Sequence, residues 1–190
     1  MHPCCRMRIA VYSEESITPL DQFDYSLANK KIDLGKISGL NASITGITHE
    51  DGTAIPYTVS GNAITIGNDP KDILDAAAST ATGATTNVYL VTAEGKYKLP
   101  LNVYTLAIRT PEEFLTLPSY YDATADQQLG YYVLCNDLDF TGKASYVGAC
   151  VGAAKYNTGF CGVFDGRNHI VRNLATDATC TTGLFGWVTG

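Results

Sequence analysis

The stretch "KIDLGKI" at residues 31–37 sets Ile32, Leu34 and Ile37 among polar neighbours. This period-two pattern belongs to a strand with one buried face, and Gly35 inside it is expected to form a bulge. Residues 41–67, "NASITGITHEDGTAIPYTVSGNAITIG", read as short strands divided by turns. Asp51-Gly52 is expected to close a hairpin, because glycine enters positive φ without steric cost, and Ser60-Gly61-Asn62 marks a second turn. Residues 85–108 return to strand text, with a turn at Glu94-Gly95. Pro100 has no amide hydrogen, so an edge position or a bulge is expected there. Between these β segments, "NDPKDILDAAAS" at 68–79 predicts one short helix. Asp69 can cap it, Pro70 suits its first position, and Ile73, Leu74 and Ala77 share a face. Strands of this length joined by short turns predict a β-sandwich.

The style of the chain changes at Thr110. "TPEEF" reads as a helix start, with Thr110 as cap, Pro111 in the first turn and Glu113 closing a capping box; Pro118 keeps the helix short. "GYYVLCNDLDF" at 130–140 then predicts a strongly apolar strand, bent near Asn136-Asp137. Further on, Gly162-Val163-Phe164 is echoed by Gly183-Leu184-Phe185, with Ile170 and Leu174 between them. The echo comes at 21 residues, and a period of roughly 20–30 residues marks a stacked solenoid. One turn of a parallel β-helix fits that length: apolar side chains point inward and stack on the turn below, while glycine serves the corners. This reading requires Phe164 and Phe185 to meet, with their strands paired in parallel. It divides the chain into a tail at 1–16, expected to be partly disordered, a sandwich at 17–108 and the first coils of a parallel β-helix at 109–190, with the boundary near 106–110.

The run "FCGVFDGRNHIVRNL", followed by "TGLFGWVTG", resembles the opening of the GLUG-motif β-helices of large bacterial surface and secreted proteins. The elements that carry the resemblance are Gly162, Phe164, Asp165 and Gly166, then Gly183, Leu184, Phe185 and Gly186. Upstream, "TPEEFLTL" and "YYVLCNDLDF" resemble the helix and strand that lead into such coils. Val147-Gly148 stands where those proteins often carry a Pro-Ile-Gly step. The match spans roughly residues 105–190. Residues 30–108 resemble the bacterial immunoglobulin-like module that often precedes this arrangement. The resemblance implies a mainly β chain: an immunoglobulin-like β-sandwich, then the first coils of a right-handed parallel β-helix, with one or two short helices. Because such coils need a cap, a chain reaching only its first GLFG is expected to be a piece of something longer.

Composition narrows the chemistry. Charged residues make up 17% of the 190 and the net charge is −6, a balance that argues against binding a phosphate backbone, which needs clustered Lys and Arg. No apolar run reaches the roughly 18 residues of a membrane-spanning helix. The N-terminal text lacks the apolar core of a signal peptide, so any secretion signal would lie upstream. Cys4, Cys5, Cys135, Cys150, Cys161 and Cys180 fit no zinc spacing. Small buried thiols with a frayed terminus, or a disulfide among the last four, both stay open.

Asp137, Asp139 and Asp165 could in principle serve acid–base cleavage or calcium. Two residues apart on one strand, Asp137 and Asp139 face the same side without an evident cleft, so turn bonding or solvent exposure is expected. His169 is expected at a corner or the surface, and His49 lacks the second histidine of a metalloprotease helix. The doublets Tyr120-Tyr121 and Tyr131-Tyr132 are the candidate binding surface, because exposed rings stack on sugars or anchor partners; packing between the two units is the rival account. The resulting expectation is a non-enzymatic, cofactor-free portion of a bacterial cell-surface or secreted adhesin-like protein. It would act as a stiff spacer and scaffold for a host or matrix protein or a glycan. The alternatives are the non-catalytic region of a large secreted peptidase and a carbohydrate-binding module.

Overall fold

The structure is a computed structural model, and it describes residues 16–40, 42–67, 83–117, 130–145, 162–176 and 184–185. The chain is mainly β. In order, its strands are β1 (Ile17–Pro19), β2 (Phe23–Ser26), β3 (Lys31–Asp33), β4 (Ile44–Thr48), β5 (Tyr57–Ser60), β6 (Ala63–Ile66), β7 (Ala84–Thr92), β8 (Lys96–Tyr104) and β9 (Leu106–Ile108). Helix α1 (Pro111–Leu115) follows, then β10 (Tyr131–Leu134), β11 (Leu138–Asp139), β12 (Val163–Asp165) and β13 (Val171–Arg172).

Two sheets make the N-terminal unit. One runs β1-β8-β7-β4, with β2 also on β8; the other runs β3-β6-β5. The long β7–β8 hairpin is antiparallel, whereas β1 and β2 pair with β8 in parallel. Alternation then does its ordinary work. Val88 and Leu90 from β7, Leu99, Leu101 and Val103 from β8, and Phe23 and Tyr25 from β2 meet Ile32, Ile64 and Ile66 from the other sheet in one core. Full burial of each such aliphatic group stabilises by about 1.5–3 kcal/mol.

Several turns sit where the sequence places them. Gly61, at φ 59°, joins β5 to β6, and Gly52, at φ 87°, closes the tight turn that bridges Thr48 to Ala54. Past that turn the chain leaves β4, whose long partner is β7, and enters β5 in the other sheet. Gly35 corrects the expected bulge. It lies in a 3-10 turn over Leu34–Lys36, capped by Asp33, whose carboxylate accepts from the Gly35 amide at 3.0 Å. A local carboxylate–amide bond ends the strand before a bulge can form. Pro100 corrects a second expectation, since β8 is flanked on both sides and is no edge. The partner strand is instead interrupted: Pro19 faces Lys98 and Phe23 faces Leu101. Pro100 therefore lies at a break, where no ladder amide is called for. The helix expected at 68–79 and nearly all of the tail at 1–16 lie outside the described residues.

The C-terminal unit is built from parallel pairs. β9, β10 and β12 form one sheet, in which Leu106 faces Tyr132 and Tyr132 faces Phe164. β11 and β13 form a second, with Leu138 facing Val171. The segment from β10 to β11 therefore lies on the segment from β12 to β13, strand over strand. Leu106, Ile108, Phe114, Tyr132, Leu134, Leu138 and Phe140 fill its interior, with Phe164, Val171, Leu184 and Phe185 packed against them. The Phe164 and Phe185 rings meet edge to face with centroids 5.5 Å apart. The strand pairing expected around Gly183 lies outside the described residues.

The two units join at Thr105, a bend between two consecutive strands. β8 ends at Tyr104 and β9 begins at Leu106, so the chain that belongs to the first sheet on one side of Thr105 pairs with β10 on the other. β9 precedes the 108/109 division expected from sequence and pairs with a strand that follows it. Helix α1 comes next; Thr110 caps it as expected, while the return bond from Glu113 falls on Arg109, one residue before the cap. Thr110 Oγ1 accepts from the Glu113 amide at 3.2 Å, and the Glu113 carboxylate accepts from the Arg109 amide at 2.7 Å.

Candidate functional site

The densest polar cluster among the described residues sits where the two units meet. Asp24 is on β2, and its backbone ladder with β8 aims its side chain outward, beside Asn102. Arg167 belongs to a tight turn after β12, in which Arg167 and Asn168 both take positive φ, at 45° and 61°, and the His169 amide donates to the Gly166 carbonyl at 2.7 Å. Positive φ at both central residues is unfavourable for non-glycine side chains. The Asp165 carboxylate supports the turn by accepting from the Arg167 amide at 2.9 Å.

The turn delivers the Arg167 guanidinium onto Asp24 as a fork: Nη1 donates to Oδ2 at 2.5 Å and Nη2 to Oδ1 at 3.2 Å. The same guanidinium donates to the Tyr104 hydroxyl and lies over the Tyr104 ring, 5.2 Å from its centroid. Asn102 Nδ2 adds a bond to Asp24 at 3.1 Å, and Arg109 donates to the Asp24 carbonyl while covering the Phe23 ring. Burial pushes the Asp24 carboxyl up, but the bonds from Arg167 and Asn102 outweigh it and hold the group below the usual carboxylate range. The hydrogen bond to Asp24 raises the Arg167 guanidinium. Cys135, half-buried with its thiol 3.8 Å from Asp24, is pushed up chiefly by burial, which keeps it protonated and a poor nucleophile. Gln22 adds a bond to Asn102, and the whole cluster ties β2 and β8 to the turn after β12.

A second polar group clips the parallel segments together. Asp137 accepts from the Ile170 amide at 3.1 Å and pairs with His169 Nδ1 at 3.2 Å. The Ile170 amide and then the His169 bond hold its carboxyl low. Asp139 accepts from Asn173 Nδ2 at 2.9 Å and from the Thr141 amide at 2.9 Å. Led by Asn173, these bonds lower its carboxyl to about 2. Both aspartates are exposed, and each ties its own segment to the one stacked on it.

The sequence candidates scatter on the structure. Tyr131 is half-exposed and tilts against Tyr104 with ring centroids 5.2 Å apart. Tyr132 corrects the expected tyrosine surface: at 0% exposure its ring lies wholly inside the core of the parallel unit and presents nothing outward. Period-two alternation on β10 puts one ring of the pair inside. Tyr120, Tyr121, Gly183 and Gly186 lie outside the described residues, as do all cysteines except Cys135. Gly162, Phe164, Asp165 and Gly166 lie in and beside β12; Leu184 and Phe185 pack against the same core as Phe164, and Phe185 meets its ring. Asp24, Asn102, Tyr104 and Arg167 carry no sequence signal for one another, since Asp24 and Arg167 stand 143 positions apart. The positive φ of Arg167 was hinted only by the turn text "DGRN".

A groove of about 490 Å³ lies elsewhere, between the free sides of β4 and β5, walled by Leu34, Leu40, Ile44, Val59 and Asn62. Among the described residues its lining carries no ionisable side chain.

No family model matches the chain, and no curated protein matches it. Among solved structures, it is similar to a Vibrionaceae 2,6-sialyltransferase, from Photobacterium sp. JT-ISH-224, in a ternary complex with CMP and lactose. The identity is 13% and the TM-score 0.24, over 67% of this chain and 26% of that one. A likeness that slight defines neither fold nor activity.

Proposed function

We propose that the chain is a non-enzymatic part of a bacterial cell-surface or secreted adhesin-like protein: an immunoglobulin-like sandwich passing into the first coils of a right-handed parallel β-helix, acting as a rigid spacer and binding scaffold. The observation that carries this reading is the passage from β8 into β9 through the single bend residue Thr105. A first strand lying parallel on the last one, with β3-β6-β5 facing β1-β8-β7-β4, favours the immunoglobulin-like order. The parallel pairs β9-β10-β12 and β11-β13 favour a coil. A spacer needs stiffness at its joints, and a joint made of a one-residue link plus a forked ion pair has little freedom to bend. Binding, in this reading, is spread over shallow contacts with a host or matrix protein or a glycan.

The test uses the 190-residue chain. Incubated with polysaccharide and peptide libraries, it is expected to release no product, and hydrolysis that copurifies with it would overturn the reading. Small-angle scattering is expected to give one fixed separation of the two units, and a broad spread of separations would also overturn it.

A further inference from the structure

We propose that the N-terminal edge of the paired sheets is a force-bearing clamp: tension between the N-terminal end of β1 and the parallel unit loads the β1/β2–β8 ladder in shear, and the Asp24–Arg167 fork closes it. The inference deepens the spacer reading and rests on it for its biological sense, although the mechanics belong to the molecule.

The geometry begins with strand direction. β1 and β2 run parallel to β8, with Ile17 facing Lys96 and Ser26 facing Tyr104. The chain enters at the Ile17 end and leaves β8 at the Tyr104 end, directly into β9. Pulling these points apart slides two parallel strands past each other. Every ladder bond is then loaded at once, and none can open without the rest. The ladder runs on beyond the strands, because the Leu27 amide donates to the Tyr104 carbonyl at 2.9 Å and the Ala28 amide to the Thr105 carbonyl at 3.2 Å.

The parallel unit also grips β2 directly. Arg167 holds the Asp24 carboxylate, Arg109 holds the Asp24 carbonyl, and Asn29 Nδ2 donates to Glu113 at 2.9 Å. For β2 to slide, it must leave β8 and these side chains in the same step. The opposite side of the sheet is built differently. β4 runs in the same direction as β8, being antiparallel to β7, which is antiparallel to β8. Force applied at the Gly52 turn, at the end of β4 nearer Tyr104, would peel β4 from β7 one bond at a time.

The experiment is single-molecule stretching of the full chain along two axes. Handles are placed at residues 16 and 143 for the shear axis, and at residues 52 and 143 for the peeling axis. Forced unfolding reads the unfolding rate. At equal force, the lifetime along the shear axis is expected to exceed that along the peeling axis by at least about tenfold. Arg167→Ala is expected to shorten the shear lifetime about fivefold, in line with a partly buried forked pair, and to leave the peeling lifetime unchanged. Equal wild-type lifetimes on the two axes would overturn the clamp without any variant having to fold. An Arg167→Ala effect of the same size on both axes would overturn the role of the fork. Either failure leaves the spacer reading standing, whereas hydrolysis or a broad spread of unit separations would sink that reading and leave the lifetimes as measured.

Discussion

The paired sheets and the parallel unit bury apolar residues in different ways. In the sheets, two faces close on each other, and Ile64, Ile66, Leu99 and Leu101 all have no exposed surface. In the parallel unit, burial falls along the stack. β9 is buried at every position, β10 at all but its first, and β12 at none. The rung against the sheets is the dry one. A stack of parallel turns covers each layer only with the next, so its interior must be covered by something other than itself at an end. Here β9, issuing from β8, does that covering. The sandwich core is made by opposition and the stack core by succession, so the second depends on the first.

The sharpest way to break this comparison is to hollow the stack at its dry end. Phe114 is fully buried and meets Phe140 and Phe164 edge to face, at 5.4 and 6.4 Å between centroids. Phe114→Ala is expected to cost about 3–5 kcal/mol in urea denaturation, whereas Phe164→Ala, at a half-buried ring, should cost about half that. Equal costs would contradict the gradient of burial. Next comes the opposite core. Leu101→Ala should cost about 2–5 kcal/mol, and hydrogen exchange is expected to show peptides from β8 and from β10 losing protection together. Separate transitions would show that β8 and β9 do not couple the units.

A smaller effect tests the joint between them. Arg167→Ala and Asp24→Asn should each cost about 1 kcal/mol, and together little more than either alone, because they share one interaction. Full additivity would deny the pairing. The smallest effect sharpens the account of the clips. The Asp139 carboxyl is lowered from 3.8 to about 2 by Asn173 and Thr141. A depressed folded value means that the unfolded state binds the proton more tightly. Its contribution is therefore present above pH 3.8 and lost as pH falls toward 2. Carboxyl NMR should find its midpoint near 2, and Asn173→Ala should move that midpoint upward; an unmoved midpoint would deny the clip.

Much of this molecule was legible where the cause lies within a few residues. Thr110-Pro111 with Glu113 caps its helix, and the glycine turns at 52 and 61 fall where written. The doublet Tyr131-Tyr132 was read as a surface although the alternation of a strand buries one ring of such a pair, and the echo of Phe164 in Phe185 correctly brought those rings together. The spacing of the stack was less readable. Tyr132 lies on Phe164 at a step of 32 residues, longer than the 21-residue echo, because residues inserted between segments leave the stacking intact. Gly35 and Pro100 were misjudged for opposite reasons. A neighbouring carboxylate captured the first, and a break in a strand some eighty positions earlier accommodated the second.

By itself, then, the sequence determined the β character, the turns and the capped helix, because propensity, period and capping act over one to four residues. Which strands run parallel, where Pro100 is harmless, and that Asp24 meets Arg167 across 143 positions were decided only by the tertiary structure. Such pairings depend on how whole sheets close over their apolar faces, and no local stretch of chain carries that information.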